Sequence, residues 1–185
     1  MKTKASEDIA GLETLTDYLN GLTVRATIED LAARLTELDI STADVAEYAR
    51  FSEKQYRRNL MRSGPLYHLL VICWRSGQRS PIHNHAGSTC GVRVLSGVAT
   101  ETLFEPSPCG LLRPTTTSDL TAGQVTATQD SNIHQVSNLQ PAGVDLITLH
   151  IYSPPLLRMD TYSLTDNTVG EFRPVIFEHI HGSGI

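Results

Sequence analysis

The spacing of hydrophobic residues indicates helices near the start of the chain. In the segment TIEDLAARLTELDI, the apolar residues Ile28, Leu31, Leu35 and Leu38 have the spacing of one helix face. They follow Thr27, a residue type that caps helix N-termini. The segments SEDIAGLETLTDYLNGL and STADVAEYARF have a similar pattern. Together they predict two or three short helices that end near Phe51.

From Leu66 onward the chain consists of short apolar and β-branched runs, separated by Gly, Pro, Asn and Asp. The runs are LYHLLVICW, GVRVLSG, VATETLF, GLLRPTTT, QVTAT, HQVSNL, VDLITLHIY and FRPVIF. Helices do not alternate with these runs, which argues against a parallel sheet. We therefore predict a mainly β fold, an antiparallel jelly-roll barrel over 53–185 with a helical N-terminal cover over 1–52. The length suits a single domain, 1–185.

Composition excludes several classes of partner. The 15 Lys and Arg are scattered and outnumbered by 20 Asp and Glu, so we expect no nucleic-acid partner. The N-terminus lacks the apolar run of a signal peptide and no stretch has membrane-spanning length, so we expect a cytoplasmic protein with no membrane partner. We also expect a monomer. The odd number of cysteines, at positions 73, 90 and 109, supports neither a disulfide framework nor a zinc ribbon.

The segment SPIHNHAGSTC suggests a metal site. If it is extended, His83 and His85 face the same side and can ligate one ion, and His134, which opens a later strand, can supply a third ligand. The spacing from Gly77 to Gly97 resembles the first cupin motif, with Cys90 in place of the usual glutamate, and Gly123 to Asn138 resembles the second. We expect His68 to be an ordinary strand residue, and His179 and His181 to lie in a frayed tail.

The segments YRRNL, ICW, SPIHNHAGSTC, GVATETLFE, IHQVSN and LHIYSPP occur in this order between Tyr56 and Pro155. As a set they resemble the cysteine dioxygenase family, non-haem iron thiol dioxygenases of the cupin fold. The resemblance implies that the three histidines bind Fe(II) and that Arg58 pairs with the substrate carboxylate, a task suited to a guanidinium. Tyr56 shares the face of Arg58, whereas Arg57 is expected to point to the surface.

The resemblance also implies a relay on the segment LHIYSPP. Thr148, His150 and Tyr152 lie on one strand face, and the relay would orient the Tyr152 hydroxyl toward the bound substrate. Cys90 would then form a thioether with Tyr152, and the alternative is a buried free thiol, as expected for Cys73 and Cys109.

The expected activity is cysteine dioxygenase: L-cysteine and O2 give cysteine sulfinic acid. Asn84, Thr89 and Met159 differ from the residues of animal relatives, with Met159 in a stretch expected to line the pocket, and they leave the thiol open. One alternative is dioxygenation of another thiol acid, 3-mercaptopropionate or mercaptosuccinate. Another is a metal-binding cupin without activity. A zinc hydrolase is disfavoured because the sequence offers no carboxylate near the ligands.

Overall fold

A computed structural model describes residues 11–130 and 132–178. Two helices occur in this part of the chain, α1 (Leu12–Asn20) and α2 (Ile28–Glu37). Helix α2 begins as predicted, because the Thr27 side chain accepts a hydrogen bond from the Asp30 amide at 3.1 Å. The third predicted helix is instead a series of turns over residues 42–48. Neither helix is long and apolar enough to cross a membrane.

Eleven strands follow in the described residues, and each of the eight predicted runs contains one. They are β1 (Arg57–Gly64), β2 (Tyr67–Trp74), β3 (Thr89–Ser96), β4 (Val98–Pro106), β5 (Leu112–Thr121), β6 (Val125–Gln129), β7 (Ile133–Ser137), β8 (Leu146–Ser153), β9 (Met159–Tyr162), β10 (Val169–Phe172) and β11 (Ile176–Glu178). Of β10 the predicted runs include only the last residue, Phe172. The apolar pattern did not predict β1 or β9. Both are rich in polar residues, and in β1 the polar residues Arg58 and Asn59 are buried.

The strands form a six-stranded sheet in the order β11-β1-β2-β8-β3-β6, a three-stranded sheet in the order β5-β4-β7, and the pair β10-β9. Neighbouring strands are antiparallel except β1 and β11, which pair in parallel. This is the jelly-roll barrel of a double-stranded β-helix, and the predicted fold class is confirmed.

Two hydrophobic clusters lie on opposite faces of the large sheet. The cover cluster joins both helices to the outward residues of β2 and β8, including Leu69, Val71, Leu149 and Ile151. The barrel cluster contains the inward residues, and its members are Leu70, Ile72, Trp74, Cys90, Val92, Val94, Ala99, Val136, Leu146, Tyr152, Leu156 and Met159. Strand alternation sends neighbouring residues to different clusters. The candidate site lies among the residues of the barrel cluster.

Candidate metal centre

Three buried histidines converge inside the barrel. The ligand atoms that His83, His85 and His134 can offer all lie within 4.8 Å of one another. The loop between β2 and β3 carries the first two, and β7 carries the third. His83 and His134 exchange backbone hydrogen bonds, each amide donating to the other's carbonyl at 2.9 Å. This pairing brings together residues that lie far apart in the chain.

The pair at 83 and 85 does not belong to a strand, although the alternation argument assumed one. His83 makes two isolated bridges, to His134 and Thr161. The chain turns directly after His85, where Ala86 has φ 45° and Gly87 has φ 91°. The Asn84 side chain supports this turn by accepting from the amides of Ala86 and Asp160, both at 3.2 Å. The two imidazoles still reach the same point, with ring centroids 5.5 Å apart.

Each of the three imidazoles has a partner at Nδ1. For His83 it is the Pro81 carbonyl at 2.9 Å, for His85 the Thr128 hydroxyl at 3.2 Å, and for His134 the Glu101 carboxylate at 2.6 Å. A carbonyl or carboxylate can only accept, so His83 and His134 carry the proton on Nδ1 and have a lone pair on Nε2. His134 Nε2 is buried with no hydrogen-bond partner in the described residues. A lone pair in that position suits a metal ion.

The surroundings keep His83 and His85 neutral. Burial lowers the pKa of His83 to about 3, and the neighbouring His134 and Arg58 contribute to the shift. Burial also lowers the pKa of His85 well below its ordinary value. Neutral imidazole is the form that binds metal. Three imidazole ligands leave further coordination positions open, unlike the closed shell of a structural zinc site.

The expectation that no carboxylate lies near the ligands is wrong. Glu101 on β4 is buried and contacts His134, from a position 33 residues earlier in the chain. It binds Nδ1, and the free Nε2 lies on the other side of the ring. A carboxylate behind a ligand cannot act as a general base toward a metal-bound water, so a zinc hydrolase remains disfavoured.

The three histidines line a cavity together with the residues to which the resemblance assigns substrate contact or a part in the crosslink. Its empty space is about 320 Å³, including the open mouth, and the lining residues are Tyr56, Arg58, Ile72, Trp74, Ser80, His83, His85, Cys90, Val92, His134, Val136, His150 and Tyr152. The cavity is therefore polar around the three histidines and apolar at Ile72, Val92 and Val136.

Arg58 enters this cavity from β1. The residue is only 4% exposed, and its guanidinium lies 4.9 Å from the centre of the Tyr152 ring. Nε and Nη2 are buried without a hydrogen-bond partner in the described residues, where no carboxylate forms an ion pair with them. A buried, unpaired cation is costly. The arrangement therefore suits an anionic ligand.

Tyr56 stacks on Trp74 next to this cation, with ring centroids 4.3 Å apart. Burial raises the pKa of Tyr56, although Arg58 opposes the shift. Arg57, by contrast, lies over the Phe177 ring at 4.0 Å and donates to Asn59 on the other side of β1. The alternation predicted for these two arginines is what the structure has.

Strand β8 carries a hydrogen-bonded row. Thr148 Oγ1 lies 2.9 Å from His150 Nε2, and His150 Nδ1 lies 3.1 Å from the Tyr152 hydroxyl. Burial lowers the pKa of His150 well below its ordinary value, with a contribution from Arg58, so the ring is neutral. A neutral imidazole donates at one nitrogen and accepts at the other. The row therefore has a direction, and His150 fixes the position of the Tyr152 hydroxyl.

Trp74 extends this row and was not predicted from the sequence as a polar participant. Its indole N–H donates to Thr148 Oγ1 at 3.0 Å. Indole nitrogen can only donate, so this bond occupies a lone pair of the threonine. The signal available in the sequence was the motif ICW, which places Trp74 on the inward face of β2.

Cys90 on β3 is the cross-strand partner of Tyr152 on β8. The thiol is buried and hydrogen-bonded to the Tyr152 hydroxyl, and burial raises its pKa to about 12. Burial likewise raises the pKa of Tyr152. Cys73 is a buried thiol of the cover cluster, as expected, but the expectation that Cys109 is buried is wrong, because Cys109 is exposed. Neither lines the cavity.

The remaining predicted residues lie away from the centre. Met159 was expected to line the cavity but does not; it is fully buried in the barrel cluster. Thr89 points to the cover, where its hydroxyl donates to the Ala26 carbonyl at 2.7 Å. His68 is a half-buried residue of β2, as expected of a strand histidine. The expectation for His179 and His181 falls outside the described residues.

Comparison with known proteins agrees with this geometry. The family model "Cysteine dioxygenase type I" matches residues 3–165. The chain belongs to the cysteine dioxygenase type I family. "Cysteine dioxygenase type 1" of Danio rerio is 29% identical over 170 residues, which cover 88% of this chain and 81% of that protein. The Rattus norvegicus protein of the same name is 32% identical over 150 residues, covering 77% and 72%.

A solved structure extends the comparison to the fold of this cysteine dioxygenase family member. The crystal structure of the protein TT1209 from Thermus thermophilus has a TM-score of 0.50 at 16% sequence identity, and covers 60% of this chain and 93% of that one. That likeness concerns the fold alone. Family membership identifies the chain as a dioxygenase, an oxidoreductase, and the three-histidine cluster is suited to its metal cofactor.

Proposed function

We propose that this protein is a cysteine dioxygenase, which converts L-cysteine and O2 to cysteine sulfinic acid at Fe(II) held by His83, His85 and His134. The observation that carries the proposal is the buried guanidinium of Arg58, which lies in the same cavity as the three histidines and whose Nε and Nη2 have no hydrogen-bond partner in the described residues. A metal-binding protein without activity has no need of a buried cation beside the metal. The family of curated cysteine dioxygenases to which the chain belongs supports the same substrate.

Arg58 would bind the substrate carboxylate. Its two unpaired nitrogens, Nε and Nη2, form one edge of the guanidinium, and a carboxylate can accept from both in parallel. That pairing would neutralise the buried charge, which also lowers the pKa of His83, His85 and His150. Tyr56, held by its stack on Trp74, would close the side of the pocket next to the carboxylate.

Fe(II), when bound, would supply the electron-transfer chemistry that allows dioxygen to react with a thiolate. The substrate would be held through its thiolate and amine, and both oxygen atoms would end on sulfur without an external reductant. Imidazole ligands, unlike carboxylates, would leave the ion its full positive charge, which favours an anionic thiolate. The apolar side chains of Ile72, Val92 and Val136 would exclude water around the reacting sulfur.

Tyr152 would position the sulfur and the incoming oxygen through its hydroxyl. His150 holds that hydroxyl at 3.1 Å and is itself held by Thr148 at 2.9 Å, so Tyr152 has little rotational freedom. Because burial raises the pKa of Tyr152, the hydroxyl keeps its proton at neutral pH and can donate it in a hydrogen bond.

We further propose a thioether between Cys90 Sγ and the Tyr152 ring. The two residues are cross-strand partners, and the thiol contacts the phenol. Forming the C–S bond removes two electrons and two protons, for which dioxygen is the oxidant. The crosslink would fix the ring where His150 already holds its hydroxyl. Intact-mass measurement would detect the loss of two hydrogens, and Cys90→Ser should abolish it.

A second small thiol acid is the alternative substrate. Carboxylate binding by Arg58 does not depend on an amino group, and the cavity lining offers no carboxylate, in the described residues, to pair with an ammonium. 3-Mercaptopropionate and mercaptosuccinate therefore also match the cation. Oxygen uptake with equal concentrations of the three thiols separates these substrates, and much slower turnover of cysteine than of another acid would refute the first choice.

We also propose that the protein acts as a monomer in the cytoplasm, on small molecules. Its buried free thiol Cys73 suits a reducing compartment. Light scattering of the purified protein tests the oligomeric state, and a dimer mass would contradict it.

The decisive experiment measures oxygen uptake and sulfinic acid formation, by mass spectrometry with isotopically labelled O2, on iron-loaded protein. Arg58→Ala should lower kcat/KM for L-cysteine. The decrease should correspond to a loss of about 2 to 4 kcal/mol of transition-state stabilisation, because a buried charged contact is lost. Arg57→Ala is the matched control: it removes the same residue type at the adjacent position, outside the cavity, and should change kcat/KM little. Equal effects of the two variants would contradict the role of Arg58.

A further inference from the structure

The shortest side-chain contact at the metal centre lies behind one of its ligands. Glu101 Oε1 accepts from His134 Nδ1 at 2.6 Å, and both side chains are at most 10% exposed. Glu101 is brought there by the pairing of β4 with β7, in which Glu101 faces Val136 and Leu103 faces His134. The other nitrogen of this imidazole, Nε2, is the buried atom without a hydrogen-bond partner in the described residues.

The three ligands differ in the charge of what lies behind them. His83 donates to a backbone carbonyl and His85 contacts a hydroxyl, and both of these partners are neutral. Only His134, of the three, has a carboxylate as its partner. An imidazole ligand brings no negative charge to a metal ion, and among the Nδ1 partners of the three histidines only Glu101 is a carboxylate.

The environment of Glu101 is poor for a carboxylate. Behind His134 it lines a second, largely apolar recess together with Ala99, Leu120 and Val136. A buried charge in such surroundings costs free energy unless it is paired. Packing alone would be served as well by a neutral side chain of the same shape. The contact with His134 therefore requires a reason other than filling space.

We propose that Glu101 is a positioning residue of the metal centre, which holds the proton of His134 on Nδ1, aims its Nε2 at the ion and supplies the negative charge that the three-histidine ligand set lacks. A carboxylate behind a ligating imidazole makes that imidazole a stronger donor and fixes its tautomer. The cupin motif's usual anionic ligand is replaced here by Cys90, and Glu101 places its charge one imidazole further from the ion. This inference rests on the metal site of the proposed function and not on the identity of the thiol.

The test measures metal binding without substrate. Fe(II) affinity is determined anaerobically by competition with a chelator, and the Fe(III)/Fe(II) potential by spectroelectrochemistry. Glu101→Ala should weaken Fe(II) binding about 10- to 100-fold, the usual effect of removing such a partner. Glu101→Gln keeps an acceptor for Nδ1–H but removes the charge, so it should lose less affinity while shifting the potential upward.

Asp119→Asn is the control, because it removes the same charge from the strand that pairs with β4 but at an exposed position that binds Thr100. It should leave affinity and potential unchanged. The unfolding midpoint of the metal-free Gln variant shows whether the fold is intact. Wild-type affinity and potential in Glu101→Gln would overturn the proposal, as would equal shifts in Asp119→Asn. Because no thiol is added, failure of cysteine oxidation would leave these readouts unaffected.

Discussion

The two faces of strands β2 and β8 are equally buried, yet they have different roles. On the cover side, Leu69 and Ile151 are completely inaccessible and pack under the helices. On the barrel side, His150 and Tyr152 are 3% exposed and line the cavity. Burial therefore does not separate the site from the core. The difference lies in hydrogen bonding. The barrel face carries the hydrogen-bonded row of β8, and it faces nitrogens of Arg58 and His134 that have no partner within the described part of the chain.

Removing one of the three histidines on the barrel side should have the largest effect on Fe(II) binding, and no residue of the cover side should have a comparable effect. His85→Ala should weaken Fe(II) binding more than about 100-fold, beyond the effect of losing a partner behind a ligand, because a direct bond to the ion is lost. Iron content after loading and desalting measures this, with circular dichroism to check the fold. Retention of stoichiometric iron would show that the three histidines do not form the site.

The opposite result is expected on the cover face. Leu35 of α2 is fully buried in the cover cluster, and Leu35→Ala should lower the free energy of unfolding by about 2 to 5 kcal/mol, because it leaves a cavity. Denaturant unfolding of the metal-free protein measures the loss. The folded fraction should bind iron as the wild type does. A large loss of iron affinity in folded protein would mean that the two faces are coupled.

Gly91 on β3 lies where the two regions meet. A Cβ there would stand 2.8 Å from Leu35 Cδ1 and 3.1 Å from Leu31 Cβ. Gly91→Ala should therefore cost about 1 to 3 kcal/mol of unfolding free energy through overpacking. Because its neighbours Cys90 and Val92 line the cavity, displacement of β3 should also lower activity, measured as oxygen uptake beside denaturant unfolding.

Shortening Leu35 provides the check on this mechanism. Leu35→Val shortens the side chain closest to the new Cβ, so the double variant should be more stable than the two single effects predict. Strict additivity in the double-mutant cycle would argue against a clash between β3 and α2.

The smallest expected effect concerns Trp74. Trp74→Phe keeps an aromatic ring next to Tyr56 but removes the donor to Thr148. It should lower the free energy of unfolding by about 0.5 to 1.5 kcal/mol. It should also decrease kcat, because His150 is held less firmly. Tyr67→Phe is its counterpart on the other face of β2, where the hydroxyl donates to Asn20 at 2.9 Å. It should reduce stability alone, and a matching decrease in kcat would remove the distinction between the faces.

Much of the architecture could be predicted from local pattern, and strand β1 shows where such a pattern fails. The eight apolar runs and the Thr27 cap depend on neighbouring residues, so periodicity and residue type were sufficient. Strand β1 has the segment RRNLMRSG, in which Arg58 and Asn59 are buried by contacts with β2 and the cavity. A pattern that takes polar residues as exposed cannot find such a strand.

The sequence by itself determined the strand-rich barrel, the helical cover, the family and the candidate ligands, because each of these depends on short segments or on their order. Only the tertiary structure decided which carboxylate lies behind which histidine, and which nitrogens of Arg58 have no partner among residues 11–130 and 132–178. Those facts depend on strand register, which is set by the sum of contacts across the sheets. Glu101 reaches His134 because β4 pairs with β7 in one register, and a shift by one residue would turn its side chain to the other face.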